Sequence, residues 1–169
     1  RRPPFAAVPE GRPGGQPSRR ISLGRYPRKA VLYCYLVTPY AHSTVRSLRK
    51  APKAYLWDWS VITDEGSRFE NLIAGHLLKM CNFLEDREGY RMGLHYLRDV
   101  SKREVDFLVT VDKRPWFAVE CKVSAHSVNP ALRYFGERLQ IPYLYQVFLR
   151  GSDDLLDGRV RIMPAAKFL

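Results

Sequence analysis

The sequence predicts an α/β domain in which a mixed central sheet is flanked by helices. Strand-like segments rich in β-branched and aromatic residues alternate with two segments whose apolar residues recur at helical spacing. From residue 54 onwards the predicted order is strand, helix, three strands, helix and two strands, which is typical of a sheet covered by helices. The 169 residues are enough for one domain with its own core.

Three segments of different composition divide the chain. Residues 1–20 are rich in Pro, Gly and Arg and have almost no large apolar side chains, so they are predicted to be a disordered basic arm. Residues 21–53 are predicted to be a lead-in segment and linker, and the apolar run 30–37 within them fits either a buried strand or a short helix. Residues 54–169 are predicted to form the folded domain.

Two helices are predicted from apolar spacing and capping signals. The first covers about 68–85, and its apolar face consists of Phe69, Leu72, Ile73, Leu77, Met80 and Leu84. The second begins where Asn129 is the N-cap and Pro130 takes the first helical position, and Pro142 ends it.

Six strands are predicted from short apolar runs bounded by turn residues. They cover 54–59, 94–97, 105–111, 116–123, 143–149 and 160–163. Asp112, Lys113, Arg114 and Pro115 are typical turn residues, so the third and fourth of these strands are predicted to form a hairpin.

The basic residues are concentrated at the N-terminal end. Residues 1–50 contain 11 of the 28 Lys and Arg but one of the 17 acidic residues, which leaves 17 basic and 16 acidic residues in 51–169. The basic arm is consistent with binding to a polyanion such as DNA, and equally with a solvated tail. The near-neutral remainder gives no charge argument for DNA.

Several other classes of protein are not favoured. Cys34, Cys81 and Cys121 are odd in number and lack CxxC spacing, which argues against disulfides or structural zinc and favours a reduced, cytoplasmic setting. The longest apolar run, 30–37, is far shorter than the ~20 residues of a membrane span. Neither GxxxxGK[ST] nor GxGxxG occurs, so no ATP site is assigned to this chain.

The candidate catalytic residues lie on the predicted hairpin. Asp106 is on its first strand, and Glu120 and Lys122 are on its second. Side chains alternate along a strand, so Glu120 and Lys122 share the polar end of one face, opposite an apolar face. Two carboxylates and a lysine on adjoining strands have the chemistry to hold a divalent cation and activate a water for phosphodiester cleavage.

The register of the hairpin decides whether the carboxylates meet. Asp106 opposes Glu120 only if the loop has an odd number of residues, such as the five residues 111–115. A loop of two or four residues opposes Asp106 to Cys121 and places the carboxylates on opposite faces, unless a bulge restores the register.

Each candidate residue has a defined chemical role. Mg²⁺ or Mn²⁺ takes oxygen ligands, which Asp106, Glu120 and the carbonyl of Cys121 would supply. Lys122 would orient the attacking water or stabilise the transition state. The competing interpretation of Glu120 and Lys122 is an ion pair on a solvated strand face.

Two further residues are candidate members of the site. Glu70, in the first turn of the first predicted helix, would complete the metal site, but it also fits a capping box in which it bonds back to the amide of Ser67. Gln146, on the strand after the second helix, would support the site by binding a water or phosphate, and it also fits a satisfied core amide.

The ordered combination of short motifs resembles the C-terminal domain of unknown function of a large prokaryotic group of AAA+ ATP-binding proteins, which has a PD-(D/E)xK restriction-endonuclease-like core. The motifs are KAYLWD at 53–58, GSRFENLIA at 66–74, YLRD at 96–99, EVDF at 104–107, VECK at 119–122 and IMPAAKFL at 162–169.

The resemblance implies a restriction-endonuclease-like fold with Asp106, Glu120 and Lys122 as its nuclease-type core. Glu70 would be the helix-borne partner, and Val105 stands where the superfamily name has proline. The ATPase half of that family is not among these residues, so an ATPase module is expected as a partner of the domain and ATP binding is not assigned to it.

Two functions follow as expectations. The first is a nuclease-like domain that hydrolyses DNA phosphodiester bonds with Mg²⁺ or Mn²⁺. The second is a catalytically silent DNA- or protein-binding regulatory module of an AAA+ ATPase. Both are expected in the cytoplasm, without a membrane partner.

Overall fold

The computed structural model describes residues 33–40, 51–124 and 127–169, and it contains an eight-stranded mixed sheet flanked by helices. This confirms the predicted fold class. The strands are β1 Cys34–Pro39, β2 Lys53–Leu56, β3 Met92–Arg98, β4 Glu104–Val111, β5 Arg114–Ser124, β6 Tyr143–Arg150, β7 Leu155–Asp157 and β8 Val160–Pro164. The α-helices are α1 Glu65–Glu88, α2 Pro130–Arg138 and α3 Ala165–Phe168, and a 3-10 helix covers Trp59–Val61.

The strands lie in the order β2-β1-β3-β4-β5-β6-β8-β7. The centre combines an antiparallel unit, β3-β4-β5, with a parallel unit, β5-β6-β8. At one side β1 pairs parallel with β3 and antiparallel with β2, and at the other β7 pairs antiparallel with β8. β1 lies in the segment predicted as lead-in, and its strand conformation settles the choice between strand and helix for the described part of 30–37.

Capping sets the start of each long helix. The N-cap of α1 is Asp64, whose Oδ2 accepts a hydrogen bond from the amide of Ser67 at 2.7 Å, and Gly89 ends the helix in the left-handed conformation. The helix therefore begins three residues before the predicted start, and the capping box built on Ser67 and Glu70 is wrong. Asn129 caps α2 as predicted, with Pro130 in its first turn.

The sheet separates two apolar clusters, and α1 and α2 cover opposite faces. On the α1 side Ile73 and Leu77 pack against Phe107 and Val119 of the central strands. On the α2 side Leu132 and Phe135 pack with other buried side chains, namely Leu108, Ala118, Leu144 and Phe148. A central strand buries both faces in this arrangement, which explains why β4 is apolar over most of its length.

The hairpin of β4 and β5 turns through only two residues. Val111 pairs with Arg114, and the residues between them, Asp112 and Lys113, have φ of 50° and 67°. Two consecutive positive φ values are the requirement of a type I′ turn, which matches the twist of the flanking strands. The five-residue loop considered for 111–115 is therefore not the one adopted.

A bulge in β5 changes the register directly after this turn. Thr110 pairs with Pro115, but Val109, which precedes Thr110 on β4, pairs with Phe117. Trp116 is the extra residue, and it is buried against the Phe117 ring with the ring centroids 5.0 Å apart. Two residues on one strand then oppose one on the other, which is the bulge alternative that the sequence left open.

Two elements were not predicted from the sequence. The edge strand β7 lies in a polar stretch with two exposed leucines, Leu155 and Leu156, so its burial pattern carries no period-2 signal. The short helix α3 buries Phe168 against the α1 side of the sheet. The strand predicted at 54–59 ends at Leu56, because Asp58 caps the 3-10 helix through the amide of Ser60.

Truncation of Phe107 is expected to destabilise the domain strongly. Its side chain is fully buried between the sheet and α1, with the Tyr55 ring 5.6 Å away. Phe107→Ala should lower the free energy of unfolding by about 3–5 kcal/mol, measured by urea denaturation. The matched control is Phe83→Ala, since Phe83 on α1 is 54% exposed, and it should change the value by less than about 1 kcal/mol. Equal losses in the two variants would contradict this packing.

Candidate active site

The candidate site is an open groove at the end of the β4–β5 hairpin that lies away from its turn. Its cavity of about 560 Å³ runs between the turn that joins β3 to β4 and the N-terminal end of α2. The residues that line it are Lys102, Arg103, Glu104, Asp106, Glu120, Asn129, Pro130, Ala131 and Tyr134. The groove therefore combines three acidic side chains with two basic ones and an aromatic ring.

The groove opens where β4 and β5 stop pairing. The last backbone pair of the ladder is Phe107 with Val119, although β4 extends back to Glu104 and β5 extends on to Ser124. One residue further along this register lie Asp106 and Glu120, which the bulge at Trp116 has brought to the same face. In place of the ladder, the Asp106 side chain accepts a hydrogen bond from the amide of Cys121 at 2.8 Å.

Glu120 is held from two sides. Its Oε1 accepts hydrogen bonds from Lys122 Nζ and from Asn129 Nδ2, each at 2.6 Å. Burial alone lowers the pKa of Lys122, but the hydrogen bond to Glu120 and the charges of Glu120 and Asp106 raise it overall, so this ammonium stays protonated at neutral pH. The ion pair between Glu120 and Lys122 that the sequence offered as the competing interpretation is present, and it lies at the edge of the groove.

The second oxygen of Glu120 is the unusual atom of the site. The residue is only 4% exposed, and Oε2 is buried without a hydrogen-bond partner within the described part of the chain. A buried carboxylate oxygen without a partner is unfavourable and calls for an explanation, of which a cation-binding role is one. This oxygen is the best observation in favour of a cation in the groove.

Gln146 supports the site without entering the groove. In the parallel pairing of β5 with β6 it lies beside Glu120, and it is fully buried. Its Oε1 accepts from the amide of Asn129 at 2.9 Å, and its Nε2 donates to the carbonyl of Ser127 at 3.4 Å. Gln146 thus fixes the cap residue whose own side chain holds Glu120, which agrees with the interpretation as a satisfied core amide.

Lys53 joins three carboxylates on the other side of Asp106. Its Nζ lies 2.6 Å from Glu104 Oε1, 3.3 Å from Glu70 Oε1 and 3.8 Å from Asp106 Oδ1. The Tyr96 ring lies beneath it, with its centroid 5.4 Å from Nζ. Burial alone lowers the pKa of Lys53, yet the three acidic neighbours raise it overall.

Glu70 reaches this cluster from α1, in the region where a helix-borne partner was predicted. Its Oε1 accepts from the Tyr55 hydroxyl at 2.5 Å and from Lys53 Nζ. Its charge also acts on Asp106, so the structure brings Glu70, Asp106 and Glu120 within electrostatic reach of one another. The same Glu70 oxygen is already bonded to a tyrosine and a lysine.

Sequence reasoning missed Lys53, Glu104 and Asn129, which contact the carboxylates of the site, as well as the groove residues Lys102, Arg103 and Tyr134. Glu104 was accessible, because it precedes Asp106 by two positions on one strand and so shares its face. Asn129 was identified only as a helix cap, and its contact with Glu120 depends on how α2 packs. Lys53 had been placed at the end of the linker, and nothing local in the sequence connects it with Asp106.

The pKa of Asp106 is strongly raised. Burial is the largest cause, and the charges of Glu120 and Glu70 add to it, which together bring this pKa to about 8. The hydrogen bond from Cys121 and the ammonium of Lys53 act in the opposite direction. At neutral pH the site therefore keeps a proton on Asp106, and a cation that binds there would release it.

The donor set fits a hard divalent cation in part. Asp106 and Glu120 offer carboxylate oxygens on one face, and Glu120 Oε2 has no other partner in the described residues. Within those residues, no group of three or more His, Cys, Asp or Glu side chains is spaced as a ready metal site. A hexacoordinate ion such as Mg²⁺ retains several waters, so two carboxylates are enough to hold it.

A family model described as "Domain of unknown function (DUF4143)" matches residues 65–168, which include α1, the hairpin and the groove. No curated protein and no solved structure matches the chain. Across residues 33–40, 51–124 and 127–169, none of the helices combines the length and the apolar character needed to cross a bilayer.

The raised pKa of Asp106 predicts a pH-dependent stability. The folded protein keeps this proton up to about pH 8, while the unfolded chain releases it near 3.8. The contribution of Asp106 to the free energy of unfolding is therefore fully present below pH 3.8, and it is lost as the pH rises through about 8. One pKa unit corresponds to about 1.4 kcal/mol. The free energy of unfolding of the wild type, measured by urea denaturation, should therefore fall by more than this amount between pH 5 and pH 9.

Asp106→Asn should remove most of this decline, since its amide does not ionise. Asp86→Asn, at an exposed position on α1, is the matched control and should retain the wild-type decline. An Asp106→Asn protein whose stability falls with pH as steeply as the wild type would show that another group is responsible.

Proposed function

The chain belongs to the DUF4143 family, a domain of unknown function, and on that premise we propose that its groove binds a divalent cation and hydrolyses phosphodiester bonds of DNA. The observation that carries the proposal is the Glu120 carboxylate, whose Oε2 is buried without a partner in the described residues, beside Asp106 and Lys122. The separation of β4 and β5 is what leaves room for a cation and a phosphate between these side chains.

The cation would be Mg²⁺ or Mn²⁺, and Asp106 and Glu120 would hold it. When bound, it supplies a Lewis acid that lowers the pKa of a water and offsets negative charge on a phosphate oxygen. Asp106, whose pKa is raised by burial and by the charges of Glu120 and Glu70, would give up its proton on binding, because a nearby cation favours the carboxylate form.

Lys122 is the proposed catalytic cation of the chain itself. Its side chain is 38% exposed, and its ammonium donates a hydrogen bond to the same Glu120 oxygen that accepts one from Asn129. With Glu120 holding a cation, Lys122 would be free to donate to a phosphate oxygen or to the attacking water. Charge that develops on the phosphate in the transition state is then met by a fixed donor.

DNA is the proposed substrate because the groove has basic residues along one rim. Lys102 and Arg103 line it on the turn before β4, and the Arg103 guanidinium lies 3.7 Å from the centroid of the Tyr134 ring. Lys102 has φ of 63°, a left-handed conformation that costs a non-glycine residue energy and often occurs at functional sites. These side chains would contact phosphates on either side of the cleaved bond.

A second function remains a proposal of a different class: a catalytically silent DNA- or protein-binding regulatory module. It is favoured by the charge balance of the groove, where Lys53 already neutralises Glu70 and Glu104, and Lys122 already neutralises Glu120. The near-neutral charge of residues 51–169 also favours it. In either function, the association with an AAA+ ATPase module and the cytoplasmic location remain predictions.

The test is cleavage of single- and double-stranded DNA with Mg²⁺ or Mn²⁺. The wild type should cut, chelation of the metal should stop it, and Lys122→Ala should lower the rate by at least about 100-fold through loss of transition-state stabilisation. Lys79→Ala, at an exposed position on α1, is the matched control and should cut at the wild-type rate. A contaminating nuclease would be unaffected by either substitution.

Binding separates the two functions. Glu120→Gln should lose Mn²⁺ binding in calorimetry as well as cleavage, because the oxygen without a partner becomes part of a neutral amide. A wild type that neither cuts DNA nor binds Mg²⁺ or Mn²⁺ would rule out the nuclease. If the wild type and Lys122→Ala then bind DNA equally, the regulatory module is the correct function.

A further inference from the structure

Lys53 is the one residue of the cluster whose role the proposed function does not explain. Its ammonium lies within 4 Å of three carboxylates, on Glu70 of α1 and on Glu104 and Asp106 of β4. A lysine at the surface usually pairs with one acid, loosely and with little gain in stability. A lysine that bridges three acids at a half-buried position acts as a fixed counter-ion.

The geometry around Lys53 is that of a cation position. Glu104 and Asp106 lie two residues apart on β4 and share a face, and Glu70 approaches from α1. The Nζ distances of 2.6, 3.3 and 3.8 Å leave no space for a second positive ion among the same oxygens. The Tyr96 ring and the Tyr55 hydroxyl close this position from the apolar side.

Asp106 belongs to both halves of the acidic cluster. Its Oδ1 faces Lys53, and its Oδ2 faces the amide of Cys121 on the Glu120 side. The Lys53 half has its positive charge built in, whereas on the other half Glu120 Oε2 has no partner among the described residues. A cation from solution would therefore bind between Asp106 and Glu120.

We propose that Lys53 permanently occupies a second cation position, so that the groove binds a single divalent cation and gains another only when the lysine charge is removed. The proposal rests on the proposed function for the identity of the first cation, but the position of Lys53 stands on its own contacts. It assigns the domain to one-metal rather than two-metal phosphodiester chemistry, with an ammonium in place of the second ion.

The test counts Mn²⁺ ions bound per chain by equilibrium dialysis with metal analysis. The wild type should bind one ion, and Lys53→Met should bind two. Lys79→Met removes a lysine at an exposed position on α1, and this control should bind one ion like the wild type. Lys53→Arg keeps the charge and should also bind one.

The two ions of Lys53→Met should also be close together. They would share Asp106, and paired metal ions of this kind lie about 3.5–4 Å apart. Their electron paramagnetic resonance spectrum should therefore show spin coupling, which the single ion of the wild type lacks. A second ion at an unrelated surface site would give the spectrum of isolated Mn²⁺ and would overturn the proposal.

The number of ions gained decides the outcome. A Lys53→Met protein that binds the same number as the wild type overturns the proposal, whatever its affinity. A wild type that binds none and a Lys53→Met that binds one would support the role of Lys53 while contradicting the metal-dependent nuclease. If Lys53→Met does not fold, the same count on Lys53→Met with Glu104→Gln, which removes one charge of each sign, should still exceed the wild type by one.

Discussion

The candidate site depends on a single extra residue in β5. Without the bulge at Trp116, the two-residue turn at Asp112 and Lys113 would oppose Asp106 to Val119 and place Glu120 on the far face of the sheet. The bulge is itself stabilised, because the extra indole is buried beside Phe117 in the α1 cluster. Packing at one end of the hairpin therefore determines which side chains face each other at the other end.

The second constraint is electrostatic. Once the carboxylates share a face, their mutual repulsion and burial must be offset, and the structure does so in three ways. It places Lys53 among three acids, sets Lys122 against Glu120, and leaves a proton on Asp106 through its raised pKa. The Asn129 cap and the amide of Cys121 add neutral donors. Among the buried carboxylate oxygens of the described residues, Glu120 Oε2 is the one without any such partner.

The fold class, the hairpin, both long helices and the Asn129 cap followed from sequence because each has a local signal in period, capping or turn chemistry. The start of α1 did not, since Asp64 competes with Ser67 as the cap and only the packed helix shows which one acts. The register at Trp116 and the position of Lys53 are tertiary outcomes. They depend on how a buried indole and an adjoining strand pack, which no short stretch of sequence encodes.

A purely structural domain would gain stability by losing this cluster. Replacing buried ionic groups by apolar side chains of similar size is often neutral or stabilising, and an acid that must stay protonated near neutral pH contributes little as an ion. Yet here Asp106 and Glu120 lie at the point where two central strands stop pairing, beside a groove that water can enter. A fold in which two strands stop pairing beside two carboxylates on one face has an arrangement suited to a ligand that bridges them. A divalent cation would give Glu120 Oε2 the partner that it lacks among the described residues.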